Sequence, residues 1–297
     1  MNPSEPPDDA PRKFHPAWSA SLGSSPVGLN LAREKDWLLA WDNSNWLYLL
    51  NHAGQRQGQF HFPGALTAAC CADDGSAYAA VGGKGEVIWL APDLMPRWQN
   101  NLPHPALAAA SDSFGQFLAV ADARGHLILF NNQGQETTRL QTPRPMHHLA
   151  FVPAAPFLVG SADYGLVGAF GMDGSTRWRD GLVAHAGSLS VNGDGSKILV
   201  ACFSEGLQGY DLEGKKLERL PVIEPYRLVS QSFTGQAILV TGVSNRLLLL
   251  NQTGKAMATQ SADKPIAAIA LSPLCDHATV AFSDGPIVRW NIRRKET

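Results

Sequence analysis

The residues best suited by type to hold a metal ion are four histidines, His104, His147, His148 and His185. A closed zinc site needs three or four ligands converging on one point. His147 and His148 are chain neighbours, and neighbours on a strand face opposite ways. No carboxylate or thiol accompanies them at a ligand spacing. They read as exposed or hydrogen-bonded side chains, with a ligand or binding role as the competing reading. Cys70 and Cys71 would be a redox or metal pair if accessible, and small apolar filler if buried, the commoner state of free cysteine. Asp73-Asp74-Gly75-Ser76 and Asn192-Gly193-Asp194-Gly195-Ser196 lack the later Glu and the alternating acids of a calcium loop, so they read as turns. The sequence contains no nucleophile elbow, zinc-protease motif or phosphate-binding loop. No catalytic residue, cofactor or metal is expected, although a site gathered from several segments would leave no linear motif.

Composition narrows the classes further. Of 297 residues, 44% are hydrophobic, enough for a large core, and 17% are charged. A net charge of −2 gives no reason to expect nucleic acid as partner. No run approaches the 18 or so apolar residues of a membrane helix, so no membrane association is expected. Residues 1–13 are polar and proline-rich and read as a disordered tail, without a signal-peptide pattern. The four cysteines (Cys70, Cys71, Cys202, Cys275) have neither CxxC spacing nor disulfide density, which suits a cytoplasmic location.

What must position all of these residues is a repeat. Leu50, Leu90, Phe130, Phe170, Tyr210, Leu250 and Trp290 stand 40 residues apart, each closing an apolar run. Gly54, Gly134, Gly174, Gly214 and Gly254 follow four residues later. Each unit holds four runs of five to eight residues, rich in branched and aromatic types and separated by Gly, Pro, Asn and Asp. That is strand and hairpin chemistry, and apolar residues never recur at helical spacing over a dozen positions. Four antiparallel strands repeated seven times specify an all-β fold, a seven-bladed β-propeller over residues 14–297. The last unit lacks its fourth strand, and His15–Gly23 falls in the column of Gln55–Pro63. An N-terminal strand is therefore expected to complete the last blade.

The 40-residue unit, the Asp/Asn/Ser-rich turn before each third strand and the glycine after it resemble the WD40 superfamily over residues 24–297. At the Trp-Asp position the chain has pairs such as Phe130-Asn131, Tyr210-Asp211 and Trp290-Asn291, and the Gly-His signature is missing. Asp42, Asp122, Asp163 and Asp284 lie in or near the turn where that family often carries a structural Asp. Met172–Trp178 is similar to the Gly-x-x-x-Trp element of quinoprotein-type propeller repeats. Trp18 and Trp98 share its Trp without its Gly.

Lettering the strands a to d outward from the axis, the d–a and b–c loops form one rim and the a–b and c–d loops the other. The first has bases and acids in balance together with aromatic residues, which suits a protein or peptide partner anchored by aromatics and Arg. The expected partner-binding residues are Trp41, Arg124, Arg144, Met146, Tyr164, Tyr226, Arg227 and Arg246. The chain then reads as a non-catalytic scaffold or adaptor, working as a subunit of a larger assembly. The alternative is a small-molecule-binding or enzymatic propeller using the channel mouth, with His104, His148, His185 and Glu224 beside Tyr226 and Arg227.

Overall fold

The computed structural model describes residues 10–220 and 222–294. These form seven antiparallel sheets in a ring, and no helix occurs among the described residues. The a strands line the axis in order: Pro26–Ala32, Leu66–Cys71, Ala106–Ser111, His148–Phe151, Ser188–Val191, Tyr226–Gln231 and Ile266–Leu271. The expected propeller is present.

Local backbone chemistry explains why the pattern turns where it does. In blades one to six a residue one or two positions before the c strand has positive φ: Asn45, Gly85, Gly125, Gly165, Gly206 and Asn245. Glycine and asparagine are the types that adopt this region at low cost, and tight hairpins require it. At the c–d turns, Asn51, Asn131 and Asp211 accept two backbone N–H groups each through Oδ1. In the Phe130-Asn131 and Tyr210-Asp211 pairs the second residue is thus a turn cap, whereas Asn291 lies within the strand Ile287–Arg294.

Blades interlock through a device that spans repeats. Trp18, Trp98 and Trp178 donate from Nε1 to the carbonyls of His52, Asn132 and Leu212 in the next blade, at 2.9, 3.2 and 2.9 Å. Each indole lies on that blade's turn glycine: a Cβ on Gly54, Gly134 or Gly214 would stand 2.6, 2.8 or 2.4 Å from the ring. The glycine each tryptophan needs therefore belongs to the following unit. Between blades one and two the sizes are exchanged, with Gly58 in the tryptophan column and Leu94 in the glycine column. Leu94 keeps the turn's positive φ (64°) and is buried over Gly58. Left-handed backbone costs a non-glycine residue roughly 1–2 kcal/mol, and a fully buried leucine returns about 1.5–3 kcal/mol. Burial wins.

The ring closes as expected, although the closing strand is Arg12–Ala20 rather than His15–Gly23, and it pairs with Ile287–Arg294. Of the expected tail at 1–13, residues 1–9 lie outside the described residues, while Arg12 and Lys13 already belong to this strand. The seam carries a polar network where other blades are apolar. Arg289 Nη2 donates to Asp36 (2.7 Å) and lies 2.7 Å from His277 Nδ1, and Arg289 Nη1 donates to the His52 carbonyl that also takes Trp18. His277 Nε2 sits 3.1 Å from Asp36. Burial works to raise the Asp36 carboxyl, but the His277 and Arg289 hydrogen bonds outweigh it and hold it below its ordinary value.

Blade five departs from expectation. It is a three-stranded sheet, and the fourth-strand segment 216–220 attaches through isolated pairings, Tyr210 with Lys216 and Leu207 with Leu220. Gln208 is buried there, in a column that is mostly apolar elsewhere. Its amide donates to the Leu217 carbonyl (3.3 Å) and its Oε1 accepts from Arg219 (3.0 Å). Side chains here occupy groups that a backbone ladder would otherwise pair.

Candidate functional site

Two places can receive a ligand or partner, the channel and the rims. The channel is a cavity of about 520 Å³ enclosed by the a strands. Its polar groups mostly serve the strands themselves. Asn30, Ser188 and Ser230 accept the backbone N–H of Cys71, Val229 and Leu271 at 3.0, 2.8 and 3.0 Å, tying each inner edge to the next blade. At its a–b end Arg33 and Asp73 make a two-pronged ion pair (2.7 and 2.7 Å), and Ser113 donates to the same carboxylate. Cys70 and Cys71 are buried, and burial pushes the Cys70 thiol up to about 12, so both act as filler in the wall.

The expected channel-mouth group does not assemble. Of its members only His148 lines the main channel, where its Nε2 lies 3.2 Å from the Ala186 carbonyl and burial lowers its pKa. His104 stacks on His126, with centroids 5.9 Å apart, and His185 packs on Tyr164 at 5.2 Å. Glu224 is buried for a structural reason. Buried Asp42 and Asp122 cap their b–c turns by accepting backbone N–H groups at 2.9–3.2 Å. Blades two and six have Gly82 and Gly242 at that position, and Glu86 and Glu224 reach into the space left open. Glu224 there accepts from Ser244 and Arg246. Asp163 and Asp284, expected in the same role, engage through their backbone carbonyls instead. Among the described residues no group of three or more His, Cys, Asp or Glu could hold a metal ion.

The expected rim residues divide. Met146 and Tyr226 are both fully buried, Met146 in the core between blades three and four and Tyr226 between blades five and six. They are packing residues, because the adjoining blade covers the Met146 loop and the start of the Tyr226–Gln231 strand. Trp41 packs over Gly28 at the channel wall, and Arg246 is paired with Glu224 (2.8 Å). Arg227 donates to the Ile266 carbonyl and lines a second cavity of about 430 Å³ with Ser25, Asn43, Ser283 and Asp284. Arg124, Arg144 and Tyr164 stand exposed.

What the sequence reading missed is apolar exposure. On the d–a/b–c rim, Tyr164, Val183, Phe203, Val222, Ile223 and Val243 are each 40% exposed or more and belong to blades four to six or the loops joining them, while Val27 (46%) stands apart on blade one. The loops touch in series. Ala186 N–H bonds the Asp163 carbonyl, Tyr226 N–H bonds Phe203, Val222 lies over Gly206, and Ser244 bonds Glu224. Phe203, at the centre, holds a positive φ (29°), a conformation that bulky residues rarely adopt. The opposite rim exposes Met95, Phe114, Phe233 and Leu274 one per turn. No family model matches this chain, and no curated protein matches it. The propeller stands on its own geometry, and among the described residues no helix is long and apolar enough to cross a membrane.

Proposed function

We propose that the chain is a protein- or peptide-binding propeller whose partner seats on the d–a/b–c rim over blades four to six. One observation carries the reading: six large apolar side chains stay exposed on contiguous loops there. Grouped exposure of this kind marks interaction surfaces, whereas isolated exposed apolar residues are ordinary. The propeller supplies a rigid base, and the loops are free to carry specificity. The test is affinity capture from the native source with three forms of the full chain. Wild type and Leu274→Asp, altered on the opposite rim, should retain the same partner, and Ile223→Asp should lose it. Equal retention by all three, or a bound metabolite with no protein partner, would overturn the reading.

A further inference from the structure

The charge on the arc of this rim over blades two to four is less balanced than the rim's composition suggests, because most acids near it are engaged, while exposed Asp263 and Asp284 lie across the ring beside blade seven. Asp122 is buried in its turn and paired with His126 (2.8 Å), and Glu86 caps the turn at Lys84 N–H (2.9 Å). Glu205 and Glu224 are taken by Arg219 and Arg246. Three cations on blades two to four have no ion-pair partner among the described residues: Lys84, Arg124 and Arg144, all exposed. They follow one another along a continuous band. The 102–105 segment bonds the turns carrying Lys84 and Arg124 (Leu102 N–H to Gly85, Ala123 N–H to Pro105), and Thr142 N–H bonds Gly125 on the way to Arg144. Exposed or half-exposed His104, His126 and His147 lie on the same arc. Its opposing exposed carboxylate is Asp163, at the far end.

The basic arc runs directly into the apolar patch. The Arg144 guanidinium packs over Gly165, the residue after Tyr164, with Nε 3.3 Å from where a Cβ would stand. One half of the rim thus offers unpaired cations and the next half offers apolar surface, in a fixed order around the ring.

Resting on the partner-binding reading of this rim, we infer that the partner is a protein segment with an acidic run next to apolar side chains. The acidic run would lie along Lys84, Arg124 and Arg144, and the apolar residues over Phe203, Val222 and Ile223. Unpaired exposed cations gain from an acidic ligand without first breaking an internal pair, and complementary potential sets the direction in which the segment lies. Nucleic acid fits less well. Three exposed cations are a small footprint for a polyanion, and four of the six exposed apolar residues of the adjoining patch are aliphatic, with no π-face for a base to stack on.

A random 12-residue peptide library selected on the immobilised full chain tests this. Enriched peptides should be acidic at one end and rich in Leu, Ile, Val or Phe at the other, with binding weakened by salt. The triple variant Lys84→Glu/Arg124→Glu/Arg144→Glu should bind them about tenfold or more weakly. Ile223→Asp should abolish binding, with both variants melting as wild type does. If enriched peptides are not acidic, or binding survives the triple reversal while Ile223→Asp abolishes it, the acidic partner is wrong and the rim reading stands. Binding untouched by Ile223→Asp sinks the rim reading itself. No enrichment, or displacement of selected peptides by poly(U) RNA or phosphatidylserine vesicles, would also overturn the inference.

Discussion

The ring-closing seam and blade five are built from the same repeat and treat it in opposite ways. At the seam, a strand from the other end of the chain completes a four-stranded sheet, and Arg289, Asp36, His277 and Trp18 bind one another or share an acceptor. In blade five, the fourth segment is held by scattered pairings, Phe203 takes a costly backbone conformation, and apolar side chains face outward. The seam joins termini that only non-covalent contacts hold, so bonding is concentrated there. Blade five lies within the continuous chain and can give up regularity to present a surface. Stability and recognition occupy different arcs of one ring.

The largest expected effect tests the seam. Arg289→Leu strands Asp36 and His277 in partly buried surroundings and should cost about 3 kcal/mol in urea unfolding. Arg219→Ala in blade five breaks an exposed pair with Glu205 and the bond to buried Gln208, and should cost about 1–2 kcal/mol. Equal losses would erase the distinction between the two arcs.

Trp18→Ala and Trp178→Ala remove the same inter-blade contact at the seam and at blade five, and each should cost about 2 kcal/mol. If the seam depends more on this contact, hydrogen exchange will show residues 12–20 opening in Trp18→Ala before any comparable opening around 207–220 in Trp178→Ala.

Acid should loosen the seam selectively. Asp36 is held below its ordinary carboxylate value, so its contribution is complete above the unfolded value of about 3.9 and is lost as pH falls through the lower folded value. Wild type should therefore lose stability below about pH 4 more steeply than Arg289→Leu, in unfolding midpoints measured across that window. Parallel curves would show that the Arg289 contact does not tune Asp36.

The smallest stability change is expected at the patch. Phe203→Asp should shift unfolding by no more than about 0.5 kcal/mol while removing partner binding. A large destabilisation would make Phe203 a packing residue and weaken the contrast.

Much of the architecture was legible in the chain. The 40-residue spacing specified the blades, and Asn45, Gly85 and Gly125 announced hairpins because few other residues tolerate positive φ. The tryptophan staple could also have been found, by searching for a glycine 36 residues after each Trp rather than four before it. Gln208 in a mostly apolar column was a visible warning about blade five. Met146 and Tyr226 were misplaced because the register of a residue at or before a strand's start says nothing about how closely the adjoining blade covers it.

Sequence alone settled the number of blades and that an N-terminal strand closes the ring, since turn chemistry and strand alternation act between near neighbours. Tertiary structure decided which side chains a partner can reach. Asp122 and Lys84 look equivalent as rim charges, yet one is buried in its turn and the other is free. Exposure depends on packing against residues some 40 positions away, and no local pattern encodes that.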